Sequence, residues 1–227
     1  MIVDDETAEG GKVRLSRRSF LLGSAAGIGA LGLAGCTTFG GSTMSFAEAE
    51  KVYGPVPSER FPIPAVNVHK INPKYFRRTV AYNTKEAAGT IIVDPRNYYV
   101  YRIEGDGYAT RYGANVGRDG FRWSGDAYVG RKAEWPVWTP PKEMIARQPE
   151  AAKYAGGMAP GLDNPLGART LYLYQNGVYT LYTIYSTRVA ESIGKGVSSG
   201  CIGLLTQDML DLYSRTPVNT KVVVLSA

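Results

Sequence analysis

Thr170-Leu171-Tyr172-Leu173-Tyr174-Gln175-Asn176-Gly177-Val178-Tyr179-Thr180-Leu181-Tyr182-Thr183-Ile184-Tyr185 is the stretch on which the fold turns. β-Branched and aromatic residues fill both halves, as they do on pleated, half-buried surfaces. Asn-Gly between them accepts the two positive-φ positions of a type I′ turn, so the stretch reads as a β-hairpin. That turn also sets the register, and it leaves Tyr185 at the far end of the second strand.

Upstream, Thr90-Ile91-Ile92-Val93 and Tyr98-Tyr99-Val100-Tyr101-Arg102-Ile103 share this composition and flank Asp94-Pro95-Arg96-Asn97, a run of turn formers. They are expected as neighbouring strands. Downstream, Lys221-Val222-Val223-Val224-Leu225 reads as a buried closing strand. Helices are fewer, with a short one allowed around residues 46–51. Thr139 is expected to cap a second, with Pro140 and Pro141 in its first turn. Thr206 is expected to cap a third, with Asp208 early, Arg215 near its end and Pro217 beyond it. The sum is a mainly β domain with a few short helices, carrying no internal repeat and no glycine-rich phosphate cradle.

The first 35 residues have another character. Arg17-Arg18 stand just before residues 20–33, an uncharged run rich in Leu, Gly, Ala and Ile that looks like the apolar part of a twin-arginine export signal. As a helix that run would span about 20 Å, short of the ~30 Å bilayer core. Leu33-Ala34-Gly35-Cys36 follows and resembles a lipobox, at which Cys36 would become a lipidated N-terminus. A plain cleavage site beside an incidental cysteine is the alternative. Residues 1–35 are thus expected as signal, and 36–75 as a lipidated start and tether rich in Pro (Pro55, Pro57, Pro62, Pro64). Residues 76–227 are expected as the domain, with its core at about 89–225. This order implies a periplasmic protein held to a bacterial membrane through lipid on Cys36.

The formal charge of +6 belongs to the mature part, because residues 1–35 carry four basic and four acidic side chains. A basic domain suits a carboxylate-rich wall polymer or an anionic membrane. No run of Lys and Arg resembles a nucleic-acid arm, so no nucleic-acid partner is expected. No metal and no cofactor is expected either. With one cysteine assigned to lipid, Cys201 is left as a single thiol in an oxidising compartment.

Cys201 lies in Ser198-Ser199-Gly200-Cys201-Ile202-Gly203-Leu204, between a Gly-rich segment and the third helix. A thiol on such a loop can attack a carbonyl while backbone amides hold the oxyanion, though an unpaired cysteine also fits a buried small hydrophobe. The segment resembles the signature of the L,D-transpeptidase (YkuD-like) family, in which a His-Gly or His-Ser pair precedes a Ser-His-Gly-Cys loop by about a dozen residues. The resemblance runs from about residue 89 to 225. It takes in Arg111-Tyr112-Gly113, Glu134-Trp135-Pro136-Val137-Trp138-Thr139-Pro140-Pro141, Asn164-Pro165-Leu166-Gly167-Ala168, Ile193-Gly194 and Asp211-Leu212-Tyr213. It implies a β-sandwich-type L,D-transpeptidase domain and cysteine-dependent acyl transfer on the tetrapeptide stems of peptidoglycan. By motif, Cys201 is the nucleophile and the amides of Gly200 and Cys201 are oxyanion donors. Ser186, Ser198 and Gly203 fall at substrate-binding positions.

Three positions depart from the pattern. Tyr185 stands where the family has its histidine base, Ser199 where it has the second histidine, and Gly203 where an Arg or Asn usually follows the cysteine by two. A phenol holds its proton at neutral pH and takes none from a thiol. The one histidine, His69, falls outside the matched region and is expected to be solvated or locally bonded. Arg188 and Lys195 are the cations that could depress the thiol pKa if either points at Cys201. Two readings follow: a transpeptidase working through Cys201, or a pseudoenzyme that binds stems without turning them over. A cysteine hydrolase of another fold is a third.

Overall fold

The computed structural model describes residues 43–118 and 123–227. The expected signal, its arginine pair and Cys36 lie outside the described residues.

The Asn-Gly hairpin forms as its chemistry dictates. Asn176 (φ 50°) and Gly177 (φ 79°) both take positive φ, and Arg169–Gln175 (β6) pairs antiparallel with Val178–Thr187 (β7) from Gln175↔Val178 to Thr170↔Tyr185. The remaining strands are β1 (Arg78–Ala81), β2 (Ile91–Asp94), β3 (Tyr99–Gly105), β4 (Tyr108–Gly117), β5 (Gly125–Glu134), β8 (Gly196–Ser198), β9 (Ile202–Leu205) and β10 (Lys221–Val224). Pairing runs β4-β3-β2-β10-β5-β6-β7-β9, and β9 returns to β4, so eight strands close on themselves. The β2–β10 and β7–β9 pairs are parallel and the rest of the closed path is antiparallel. The architecture is mainly β with a few short helices, as expected, and the sandwich layers take the form of one closed sheet. Closure leaves no free edge along that path.

The core follows from strand alternation. Ile91, Val93, Val100, Tyr112, Val129, Leu171, Leu173, Ile184, Leu204 and Val222 form one buried cluster, joined by Met209 and Leu212 of helix α3 (Thr206–Ser214). Two helix starts differ from expectation. Leu205 rather than Thr206 precedes α3, and the Thr206 hydroxyl instead donates to Thr187 O at 3.2 Å. Helix α2 (Lys142–Arg147) begins after Pro141, beyond Thr139.

The segment expected as a tether is a correction of another order, for it packs on the domain. Helix α1 (Phe46–Val52) starts at a capping box between Ser45 and Glu48, and Tyr53, Val68 and Ile71 are buried against Ala190, Ile193 and Leu205. Each such side chain contributes roughly 1.5–3 kcal/mol of burial. Glu59 receives Arg169 through both guanidinium nitrogens (3.0 and 2.7 Å) and Trp135 Nε1 (2.9 Å). The Gln207 carboxamide donates to the carbonyls of Tyr53, Gly54 and Pro64. Proline density marked the segment as an extended spacer; instead helix α1 and the side chains buried on either side of the prolines make it a strap packed on the domain.

Candidate active site

The parallel β7–β9 pairing sets the site. Ile184 lies opposite Ile202 and Tyr185 opposite Gly203, while β4 places Asn115 on the other side of Gly203. Ile184, Ile202 and Leu204 point into the core. Alternation therefore turns Thr183, Tyr185, Cys201, Gly203 and Asn115 to the opposite face. That face is flanked by the cluster containing Leu205, Ile193 and Tyr75.

Cys201 sits just before β9. Its thiol donates to Leu181 O at 3.8 Å. That carbonyl is available because β7 bulges between the Tyr174↔Tyr179 and Tyr172↔Thr183 pairs, with Leu181 at φ 67°. The residue keeps some surface exposure, yet its sulfur is crowded, and burial pushes the thiol pKa up. The Thr183 hydroxyl and amide oppose that rise. Thr183 is 2% exposed and its hydroxyl has no hydrogen-bond partner of ordinary length among the described residues, which leaves it free to serve the sulfur.

Tyr185 is beside this thiol. Burial and the neighbouring Cys201 push its phenol up to about 12, against a side-chain hydrogen bond with Asn115 that pulls it down. A phenol so placed is a donor, never a base, at physiological pH. No cation is among the influences on the sulfur: Arg188 pairs with Asp163 at 3.1 Å, and Lys195 is exposed. His69 bonds Glu50 at 3.3 Å and stacks on Phe46, within the strap.

Several positions assigned by motif have internal duties. Ser198 Oγ donates to Cys201 O (2.5 Å) and accepts from Gly200 N (3.2 Å), so the Gly200 amide is turned to the loop itself and not toward an oxyanion. Ser186 is 3% exposed, and its hydroxyl accepts from Arg169 N and donates to Arg169 O, which ties β7 to β6 and keeps it from substrate. Gly203 is buried and meets Asn115: a Cβ there would lie 2.6 Å from Oδ1 and 2.7 Å from Nδ2. Ser199, part-exposed, stands two residues before the cysteine. Asn115, Thr183 and Leu181 are the site residues that the motif missed. A carboxamide inside the apolar run Tyr112-Gly113-Ala114-Asn115-Val116 was the one available signal.

The L,D-transpeptidase catalytic domain (YkuD) family matches residues 88–224, more than half of the chain. The chain belongs to that family. "Probable L,D-transpeptidase YbiS" of Escherichia coli is 37% identical over 95 residues, covering 41% of this chain and 29% of that protein. "Probable L,D-transpeptidase ErfK/SrfK" of Salmonella typhimurium is 35% identical over 98 residues, covering 43% and 30%. The chain thus spans less than half the length of the curated relatives it matches. Among solved structures, a Brucella melitensis protein named "Probable carnitine operon oxidoreductase caia" is 39% identical and covers 70% of this chain and 99% of its own, with a TM-score of 0.48. An L,D-transpeptidase from Mycobacterium tuberculosis is 16% identical, covers 61% and 58%, and has a TM-score of 0.44. Among the described residues of this YkuD domain, no group of three or more His, Cys, Asp and Glu could hold a metal ion, and no helix is long and apolar enough to cross a membrane.

Proposed function

We propose that this chain is a cysteine-dependent acyltransferase acting on peptidoglycan tetrapeptide stems, exported through its twin-arginine signal and anchored by lipid on Cys36. The observation that carries the reading is the setting of Cys201: the one free thiol among the described residues, at the mouth of β9, between a carbonyl that accepts its hydrogen bond and a buried hydroxyl available to donate to the thiolate. In the reaction the thiolate forms a bond to the carbonyl carbon of the stem's third residue. The C–N bond to the terminal D-Ala breaks, its nitrogen takes a proton, and an acceptor amine then displaces the sulfur.

The thiolate is scarce, below the ~3% of an ordinary thiol at pH 7, because burial outweighs Thr183. Without an imidazole the step also lacks a base typically worth about 10²- to 10⁴-fold. These two facts support slow turnover that rises with pH. They equally favour the second reading, a stem-binding pseudoenzyme. Incubating the purified protein with a carbapenem or a tetrapeptide stem separates the two by intact mass. An adduct on Cys201 is expected, and stem binding without any adduct between pH 7 and 9.5 would establish the pseudoenzyme instead.

A further inference from the structure

Two irregularities of the sheet act together on the face that carries Cys201. Strand β5 has one residue too many against β6: Val129 pairs with Leu173 and Arg131 with Tyr172, which leaves Gly130 between them. In an unbroken ladder Arg131 would stand opposite Leu171, whose side chain lies in the core, and the guanidinium would be turned away from Cys201. The bulge re-aims it. Only glycine fits at the bulge, since a Cβ at position 130 would lie 2.3 Å from Cδ2 of Tyr174. The bulge in β7 then sets Thr183, rather than Leu181, opposite Tyr172. Thr183 stands beside Cys201, because Ile184 and Ile202 are the next pair along. Arg131, Tyr172, Thr183 and Cys201 thus form one row across four strands.

The far end of that row is a cation laid on an aromatic surface. Arg131 is exposed, with Cζ 3.5 Å from the centre of the Tyr172 ring, which is itself 5% exposed. Tyr179 continues the surface, its ring 5.6 Å from that of Tyr172, and its phenol pKa is raised by burial and by the neighbouring Cys201. An exposed arginine is ordinarily a solvated charge. Here it is aimed by a bulge and set in register with the nucleophile. Unlike Arg169 and Arg188, it pairs with no carboxylate among the described residues.

We propose that Arg131, held on Tyr172, is a specificity residue for the stem: its guanidinium receives a free carboxylate of the peptide whose third residue meets Cys201. Two strand spacings, about 10 Å, separate Cys201 from Tyr172. That is the reach of about three extended residues, so the carboxylate lies upstream of the scissile carbonyl, on the second residue or on the side chain of the third. The planar fork of arginine matches a carboxylate. This rests on stems as the ligand of the Cys201 face, but equilibrium binding reads it whether or not they are turned over. In titration calorimetry of the purified protein with a soluble tetrapeptide stem, Arg131→Gln should raise Kd about fivefold to tenfold at about 50 mM salt. The gap should narrow at about 500 mM. Two further stems, each amidated at one of the two carboxylates, locate the partner. One of them should bind wild type as weakly as the intact stem binds Arg131→Gln, and the substitution should cost it nothing more. Equal Kd values for wild type and Arg131→Gln overturn the proposal, as does a loss that is the same for the intact and both amidated stems. The variant should keep the melting temperature and the rate of Cys201 alkylation by iodoacetamide, because Arg131 is exposed and acts on the ligand; slower alkylation would make it a residue acting on the thiol instead. Stem binding that depends on Arg131 without any adduct on Cys201 counts against the acyltransferase alone, whereas a wild type that binds no stem overturns both.

Discussion

Around Cys201 the same short strand segment presents a group that keeps the proton and a group that welcomes its loss. The Leu181 carbonyl accepts from the neutral thiol, while the Thr183 hydroxyl and amide favour the thiolate. Thr183→Val keeps the shape and removes the hydroxyl. It is expected to slow alkylation of Cys201 at pH 8 by about tenfold, as one hydrogen bond worth ~1.4 kcal/mol implies, and Thr183→Ser should restore most of the rate. Equal rates for the valine and serine variants would take the hydroxyl out of the site. Tyr185→His asks a different question of the same face. An imidazole with a pKa near 6.5 accepts a proton at neutral pH, so carbapenem acylation of Cys201 should accelerate by some part of the ~10²- to 10⁴-fold that a base supplies. Acylation of the wild type as fast as the histidine variant would show that the missing base is no defect. Restoring Arg at Gly203 in the same background is expected to fail, since its Cβ alone overlaps Asn115. Tyr185 and Cys201 were legible in the sequence because turn chemistry and a local motif place them. Asn115 was not: its partners Tyr185, Ser192 and Gly203 lie some 70 to 90 residues away, and only cross-strand register brings them together.

Among the elements, the hairpin, β2, β3 and β10 could be read from composition because strand propensity and turn residues agree there. The strap could not, because its evidence is a set of single apolar residues scattered among prolines, with no period of 2 or 3.6 to betray a packed face. Its contacts make a measurable difference between strap and tether. Glu59 has 15% of its side chain exposed and pairs with Arg169, whose side chain is 11% exposed. Removing the carboxylate leaves a largely buried guanidinium with the Ala168 carbonyl at 2.9 Å, the Tyr213 ring and a longer contact to Glu134 at 3.6 Å in place of a two-pronged ion pair. Glu59→Ala is therefore expected to cost about 2–4 kcal/mol, read as a lower urea midpoint at unchanged m-value. In a free tether the same substitution would change stability by less than about 0.5 kcal/mol.

For the whole molecule, sheet closure through β4 and β9 and the docking of α3 onto the strap were invisible in sequence, because both depend on contacts between distant segments. Docking brings one buried titratable group with it. Asp208 of α3 is fully buried, accepts from Tyr53 of the strap at 3.2 Å, and has Arg77 Nε at 3.7 Å and Asp211 on its own helix nearby. Burial pushes its carboxyl up to about 7, with Arg77 and Tyr53 pulling it down and Asp211 adding to the rise. The unfolded chain holds the same group near 3.9. Between about pH 4 and 7 the folded state therefore binds more protons than the unfolded state, and this group's contribution to stability falls as pH rises through that window. Asp208→Asn keeps the acceptor for Tyr53 and removes the titration. Relative to wild type, the variant should gain stability progressively from pH 4 to pH 8, by an amount on the order of 2–4 kcal/mol, with no further change above pH 8. Urea midpoints of both proteins at pH 4, 6 and 8 give the comparison. Should the asparagine variant instead lose ground as pH rises, the ionised carboxylate is a net favourable partner of Arg77, and the strap is locked by a charge pair rather than by a protonated acid.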